Sequence, residues 1–281
     1  MKKKCPICNN QNIKILKNGV RDNKNIDVLK CSKCGIEFLS DFSQASAEFY
    51  KNGSMHSKID TKLWLEKTSI DDIRRFKSLK NVLKNKSLLD FGAGSGNFLK
   101  LVSKTTKNCV GCELDCSLDN FYNEQNLDIR HSLNEFSQKF DKITMFHVLE
   151  HLESPKENLT QLKEKLNTNG ELIIEVPNSN DALLTLYNNS AFKKFTYWSC
   201  HLFAYNQKNI KLLLNQTGFK VTKIKHIQRF PYTNHLGWIK DNKGGGQNRY
   251  KTSKLINYFY TLFLKLTKKT DTIIVFARKS E

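Results

Sequence analysis

The run Leu88-Leu89-Asp90-Phe91-Gly92-Ala93-Gly94-Ser95-Gly96-Asn97-Phe98-Leu99 constrains this chain more than any other segment. An apolar stretch holding an acid reads as a buried strand, and three alternating glycines before renewed apolar spacing read as a tight turn that opens a helix. A strand-turn-helix unit of this kind gathers backbone N–H groups at a helix N-terminus, which suits a nucleotide-type pocket.

The glycine spacing narrows the choice of ligand. A dinucleotide turn reads G-x-G-x-x-G, with pyrophosphate on the following helix. Here the third glycine is Gly96 and Asn97 follows it, so the pattern is G-x-G-x-G. Asp90 places a carboxylate just before the turn, where it would repel a pyrophosphate but suits the ammonium of a methionine moiety. Cys109-Val110-Gly111-Cys112-Glu113 reads as a second strand, and Glu113 stands 23 positions after Asp90. A carboxylate there can accept hydrogen bonds from both hydroxyls of a ribose.

Five segments, DFGAGSGNFL, GCELD, FDKITMFHVLEHL, GELIIEVPN and HLFAYN, occur in that order. Together they resemble the class I S-adenosylmethionine-dependent methyltransferases over roughly 87–230 and again over 270–279. The resemblance implies an α/β fold: a seven-stranded Rossmann-like sheet with helices on both faces, strand order 3-2-1-4-5-7-6 and an antiparallel last strand. It implies S-adenosylmethionine as cofactor, held by Asp90, Gly92, Ala93, Gly94, Gly96, Glu113, Leu114 and His147.

Two C-x-x-C pairs, Cys5/Cys8 and Cys31/Cys34, are separated by 22 residues. In a reducing compartment this spacing reads as a four-thiolate structural Zn2+ site, coordinatively closed and so not catalytic. The intervening Ile13 to Leu29, with Asn18-Gly19, fits a small β-ribbon that could stabilise the N-terminus, dock on the substrate cleft or bind a partner. Cys109 and Cys112 are expected in or beside a buried strand.

The division expected along the chain is a zinc ribbon over 1–40, a helical substrate-side cap or linker over 41–86 and a methyltransferase domain over 87–281. The cap shows broken helical spacing of Phe49, Leu63, Leu65, Ile70, Ile73, Phe76, Leu79 and Leu83. Strands are expected near 87–91, 108–113, 127–130, 141–147, 170–176, 219–227 and 272–278. Ser154-Pro155-Lys156-Glu157 marks a helix start with an N-cap serine and a capping box, followed by an apolar stripe of Leu159, Leu162 and Leu166. A helix over Gln207 to Gln216 should end at Gly218. An insertion over about 231–270 contains Lys243-Gly244-Gly245-Gly246-Gln247, which reads either as a flexible loop or as a phosphate-binding nest, and the insertion is the best candidate for substrate choice. Leu255 to Leu266 is too short to span a bilayer, which takes ~20 apolar residues, and reads as an amphipathic helix packed on the catalytic domain.

The N-terminus runs from Met1-Lys2-Lys3-Lys4 into Cys5 without an apolar stretch, so a cytoplasmic location is the expectation. The net charge of +19 either reflects compositional bias of the source genome or attracts an anionic partner: a phosphorylated metabolite, a nucleotide-activated sugar or RNA.

Methyl transfer needs the acceptor atom behind the methyl group and, for a hydroxyl or carbon acceptor, a general base. In sugar C-methyltransferases a histidine at the position of His201 in His201-Leu202-Phe203-Ala204-Tyr205 is the suspected base, so His201 leads the catalytic candidates, with His147, Glu150 and His151 beside it. Relatives with E-x-x-E-H bind a divalent metal there; His147 replaces the first glutamate here, which puts that site in doubt, though His147, Glu150, His151 and His201 still offer ligands. Tyr50, His56 and Tyr197 are candidate substrate contacts. The reading favoured is O-methylation of a small polar, anionic or sugar-type acceptor in capsule or surface-polysaccharide precursor synthesis. RNA methylation and sugar C-methylation are the alternatives, and a non-catalytic scaffold retaining the fold is a third. Base-amino methyltransferases carry N/D-P-P-Y after the fourth strand, where this chain has His147-Val148-Leu149-Glu150.

Overall fold

The computed structural model describes residues 3–44 and 61–280. Its larger sheet has seven strands, β4 (Ser87–Phe91), β5 (Asn108–Cys112), β6 (Ile129–Arg130), β7 (Phe140–Phe146), β8 (Leu166–Pro177), β10 (Phe219–Ile227) and β11 (Thr272–Lys279), in the order β10-β11-β8-β7-β4-β5-β6. Read from the β6 edge, this is the expected 3-2-1-4-5-7-6. The central pairs β4–β5, β4–β7 and β5–β6 are parallel. Leu88, Leu89, Ile143, Met145 and Leu172 to Ile174 are buried, as strands covered on both faces require.

The chain divides into two compact units, Met1–Gln44 with Glu175–Asn215 and Lys223–Val275, and Ala45–Ile174 with Gln216–Thr222 and Phe276–Glu281. In the first, β1 (Ile13–Lys17), β2 (Val28–Cys31) and β3 (Glu37–Leu39) form an antiparallel ribbon, and β9 (Phe203–Ala204) adds a fourth strand beside β3. The β1–β2 pairing shifts between Ile15 and Lys17, and Gly19 then takes a left-handed φ of 64° with its N–H on Asp27 Oδ1 at 3.0 Å. Residues 195–204 run along this ribbon. Ser199 donates from N and Oγ to Asp22, Leu39 N–H donates to Leu202 O, and the Arg21 guanidinium lies over Phe195 and Trp198.

In the second unit α1 (Thr61–Leu83) turns Asp72, Arg75, Leu79 and Leu83 inward, while Ile70 and Ile73 of the expected apolar stripe are exposed. The spacing of apolar residues was broken because a buried ion pair, not an apolar residue, holds two of the inward positions. Further on are α2 (Asn97–Val102), α3 (Asp119–Glu124) and α4 (Pro155–Glu164). Ser154 is the N-cap residue of α4, but its side chain makes no capping bond; its carbonyl receives Asn158 N–H at 3.1 Å. Leu166, expected on this helix, begins β8 instead.

Back in the first unit are α5 (Ala182–Thr185), α6 (Ser190–Thr196) and α7 (Gln207–Gln216), which buries Ile210, Leu213 and Leu214. Gly218 follows α7 with φ 75°, as the C-cap reading requires. The stretch 231–270 folds into α8 (Tyr232–Asp241), a 3-10 turn at Gly246–Asn248 and α9 (Lys254–Leu266). The glycine triplet is packed on α8, with Gly245 N–H donating to Asn234 Oδ1 and the carbonyls of Lys243 and Gly244 receiving Arg249. The N–H groups of Lys243 and Gly245 are taken by Gly237 O and Asn234 Oδ1, which counts against a phosphate nest there. Helix α9 also departs from expectation, since of its apolar residues only Leu264 is buried.

The Tyr197 hydroxyl donates to Glu37 Oε2 at 2.8 Å, and both residues are buried. Tyr197→Phe should therefore lower the unfolding free energy by about 1–3 kcal/mol, the cost of withdrawing a donor from a buried carboxylate. Urea denaturation of the two proteins measures this, and equal midpoints would show that the bond contributes nothing.

Candidate functional site

The glycine turn of the second unit is built by close approach to β5. Gly92 and Ala93 both donate their N–H to Cys112 O, at 2.8 and 3.1 Å. Gly92 has φ 76°, and a Cβ there would lie 2.2 Å from Val148 Cγ2, so a side chain is excluded both by conformation and by space. Gly111 of β5 is equally constrained, since a Cβ would lie within 3 Å of Leu99, Ala93 and Ile129. Neither the turn nor the strand can carry a larger residue without moving apart.

Two carboxylates flank the turn. Asp90, 3% exposed at the C-terminal end of β4, accepts the Thr144 hydroxyl on Oδ1 at 2.7 Å. Burial pushes its carboxyl up to about 7, with Asp72 and Glu113 adding to the rise and Thr144 and Arg75 opposing it. Glu113 follows β5 and accepts Gly94 N–H on Oε2 at 2.8 Å and Asp115 N–H on Oε1 at 3.1 Å. Burial raises its pKa too, against the pull of those N–H donors. Each oxygen of a carboxylate has two acceptor sites, so both bonds to the backbone leave Glu113 able to receive further donors. Leu114, next in sequence, is exposed.

Several supporting residues escape sequence reasoning. Tyr122 of α3 donates its hydroxyl to Gly94 O at 2.6 Å, and burial holds that phenol protonated. Asp72 and Arg75 of α1 form a buried ion pair at 2.9 Å, Asn97 at the start of α2 donates to Asp72 Oδ2 at 3.0 Å, and the Arg75 guanidinium lies 4.7 Å from the Phe146 ring centroid. Thr144 is a lone hydroxyl on an apolar strand, and the Asp72/Arg75 spacing of i, i+3 was the only available signal for the pair.

His147 follows β7 with a left-handed φ of 56°, uncommon for a residue with a side chain. Its Nδ1 lies 3.1 Å from Glu150 Oε1, and Glu150 and His151 are buried in the 3-10 turn Leu149–His151. Where that oxygen accepts, the imidazole proton lies on Nδ1. In the first unit His201 is partly exposed, its N–H donates to Trp198 O at 3.0 Å and its ring stands edge-on to Trp198. The hydroxyl of Tyr197, a candidate substrate contact, donates to Glu37 Oε2. Tyr50 and His56 lie outside the described residues.

The four sulfurs of Cys5, Cys8, Cys31 and Cys34 lie within 4.8 Å of one another, with Cys5–Cys34 at 3.6 Å and Cys8–Cys31 at 3.5 Å. Cys112 is buried in β5 and Cys109 half-buried there, as expected of apolar-behaving thiols. No described helix is long and apolar enough to cross a membrane.

A methyltransferase-domain family model matches residues 64–224, more than half of the chain. No curated protein matches it in sequence. Among solved structures, a SAM dependent methyltransferase from Archaeoglobus fulgidus is similar at TM-score 0.54 and 19% identity, covering 78% of this chain and 100% of that one. A SAM-dependent methyltransferase from Thermotoga maritima gives 0.52 and 14%, covering 83% and 98%. Magnesium protoporphyrin IX methyltransferase from Synechocystis, with bound SAH, gives 0.50 and 12%, covering 83% and 98%. At these identities the structures attest the fold, and the match over 64–224 attests the family. The chain belongs to the methyltransferase-domain family, and its Rossmann-like α/β fold is that of the S-adenosylmethionine-dependent methyltransferases it is similar to.

Proposed function

We propose that the protein O-methylates a small polar acceptor of the anionic or sugar type, in the synthesis of a capsule or surface-polysaccharide precursor, in the cytoplasm. The observation that carries the cofactor half of this reading is the pair of carboxylates on either side of a turn whose Gly92 leaves no room for a side chain. Asp90, Gly92, Ala93, Gly94, Gly96, Glu113, Leu114 and His147 form the cofactor site. Their donor set fits the group: an acid for an ammonium at one end, an acid for a ribose at the other, and glycine backbone between them. Bound S-adenosylmethionine supplies a methyl group made electrophilic by the adjacent sulfonium.

The chain's own residues do the rest. Ionised Asp90 holds the ammonium while Thr144 fixes the carboxylate's rotation. Glu113 receives the ribose hydroxyls and is itself held by Gly94 and Asp115. His201 is the proposed general base, on the resemblance of the HLFAY run; His147, Glu150 and His151 orient the rim, with Glu150 fixing the His147 tautomer. A hydroxyl acceptor needs such a base and an ionised phosphate oxygen does not.

The segment after β7 favours a small acceptor over a flipped base. Val148 packs beneath Gly92, and Leu149 and Glu150 are buried, so no aromatic ring is presented where a base-amino methyltransferase stacks its base. The positive charge suits an anionic acceptor equally well. The four cysteines are proposed to hold a structural zinc ion. Tetrahedral thiolate ligands at ~2.3 Å place sulfurs about 3.8 Å apart, close to the 3.5 and 3.6 Å separations here.

Three outcomes are expected. Calorimetric titration with S-adenosylmethionine should show affinity rising with pH up to about 7.5 and falling above about 8 as the ammonium deprotonates. The sign follows from Asp90: its pKa of about 7 is raised, so below it a proton must leave before the ammonium is held, at up to about tenfold per pH unit. Asp90→Asn should weaken binding and flatten the acid limb; an unchanged limb would refute the assignment. His201→Ala should keep cofactor affinity and lose turnover on phosphorylated or nucleotide-activated sugars, whereas undiminished turnover would remove it as the base. Metal analysis should find about one zinc per chain, lost in Cys31→Ser, and a metal-free native protein of full stability would refute the site.

A further inference from the structure

Helix α9 faces the wrong way for a helix that belongs to a core. Its inward residues, Asn257, Tyr260, Thr261 and Leu264, follow the i, i+3, i+4, i+7 spacing of a packed face, yet only Leu264 among them is fully buried and apolar. The seam is largely polar. Asn257 Oδ1 accepts Tyr232 N–H at 2.8 Å, and the Tyr260 hydroxyl lies 2.6 Å from His235 Nδ1 and 3.1 Å from the Tyr187 hydroxyl.

The outward side is apolar. Leu255 is 65% exposed, Phe259 57% and Leu266 74%, and Ile256, Leu262 and Phe263 are exposed between them. At ~100° per residue these six span about 120° of the circumference, and exposed Tyr258 widens the stripe at its margin. Leu186 and Tyr187, the latter bonded to Tyr260, are exposed as well. An apolar stripe turned to solvent along a whole helix marks an interaction surface.

Charge identifies what covers it. From Asn242 to Thr270 there are six lysines, one arginine and no Asp or Glu. Lys254 and Lys265 project from one margin of the apolar stripe, and Lys268 and Lys269 follow the helix C-terminus. A second copy of the chain would bring the same lysines face to face, on molecules that each carry +19; an anionic surface is attracted by them. Thirteen residues make a helix of about 20 Å, short of the ~30 Å hydrocarbon core, so such a helix lies in the plane of an interface.

We propose that α9 docks the protein on an anionic phospholipid bilayer, with the Leu255, Phe259 and Leu262 side at the acyl boundary and Lys254, Lys265 and Lys268 at the level of the lipid phosphates. Long lysine side chains suit that boundary because their stems are apolar and their ammonium groups reach the headgroups. The docking is independent of the acceptor that is methylated.

Flotation of the full chain with extruded vesicles tests this. Vesicles of phosphatidylcholine with about one third phosphatidylglycerol should carry the protein, pure phosphatidylcholine at least about tenfold less, and salt near ~0.5 M should release it. Phe259→Asp and, separately, Leu255→Asp should each weaken binding at least about tenfold. Both positions are exposed, so the fold survives, as circular dichroism would verify. Ile15→Asp, at an exposed apolar site on β1, should bind as the parent does. No flotation with phosphatidylglycerol, or undiminished flotation of Phe259→Asp, overturns the proposal. So does a dimer in solution that Phe259→Asp dissociates, which would make a second copy the occupant.

Discussion

The second unit rests on one close approach, the glycine turn lying against the end of β5. Two N–H groups reach Cys112 O and a third reaches Glu113, and this is sterically open only because Gly92 and Gly111 lack side chains. Once the turn is held there, Asp90 and Glu113 are fixed on either side of it by backbone geometry rather than by flexible side chains. Preorganisation of this kind places charge before a ligand arrives, so little reorganisation is left for binding. The raised pKa of Asp90 is the counterpart: burial disfavours the charged carboxylate more than Thr144 and Arg75 favour it.

Around this contact the chain adds a polar layer. Tyr122 holds the Gly94 carbonyl, Thr144 holds Asp90, and the Asp72–Arg75 pair joins α1 to Asn97 at the start of α2. Such a pair is weak evidence for stability, since burying both charges offsets much of their attraction. Its geometric effect is clearer, because a buried pair with a fixed partner admits one register of α1 against α2.

The sheet was legible in the sequence because its strands are short apolar runs cut off by glycine or by an acid, and the parallel order follows from strand-helix alternation. The two carboxylates and the four cysteines were legible for the same reason: their spacing is set by local backbone geometry. Thr144, Tyr122 and the Asp72–Arg75 pair were not, since each gains its meaning from a partner distant in sequence. Ile70 and Ile73 were misread because hydropathy assigns apolar residues to the interior, and α1 puts an ion pair there instead. Helix α9 shows the same limit from the other side: its periodicity gives the width of an apolar stripe but not its direction.

Strand β9 belongs to the cysteine ribbon's sheet, and Asp22, Glu37 and Leu39 clasp the chain from Tyr197 to Leu202. The N-terminal knuckles and His201 are thereby laced into one small antiparallel fabric, although Glu37 and Tyr197 stand 160 positions apart. The ribbon that carries the cysteines and the segment that carries His201 thus share one sheet, so the two fold as a single piece despite their distance in sequence.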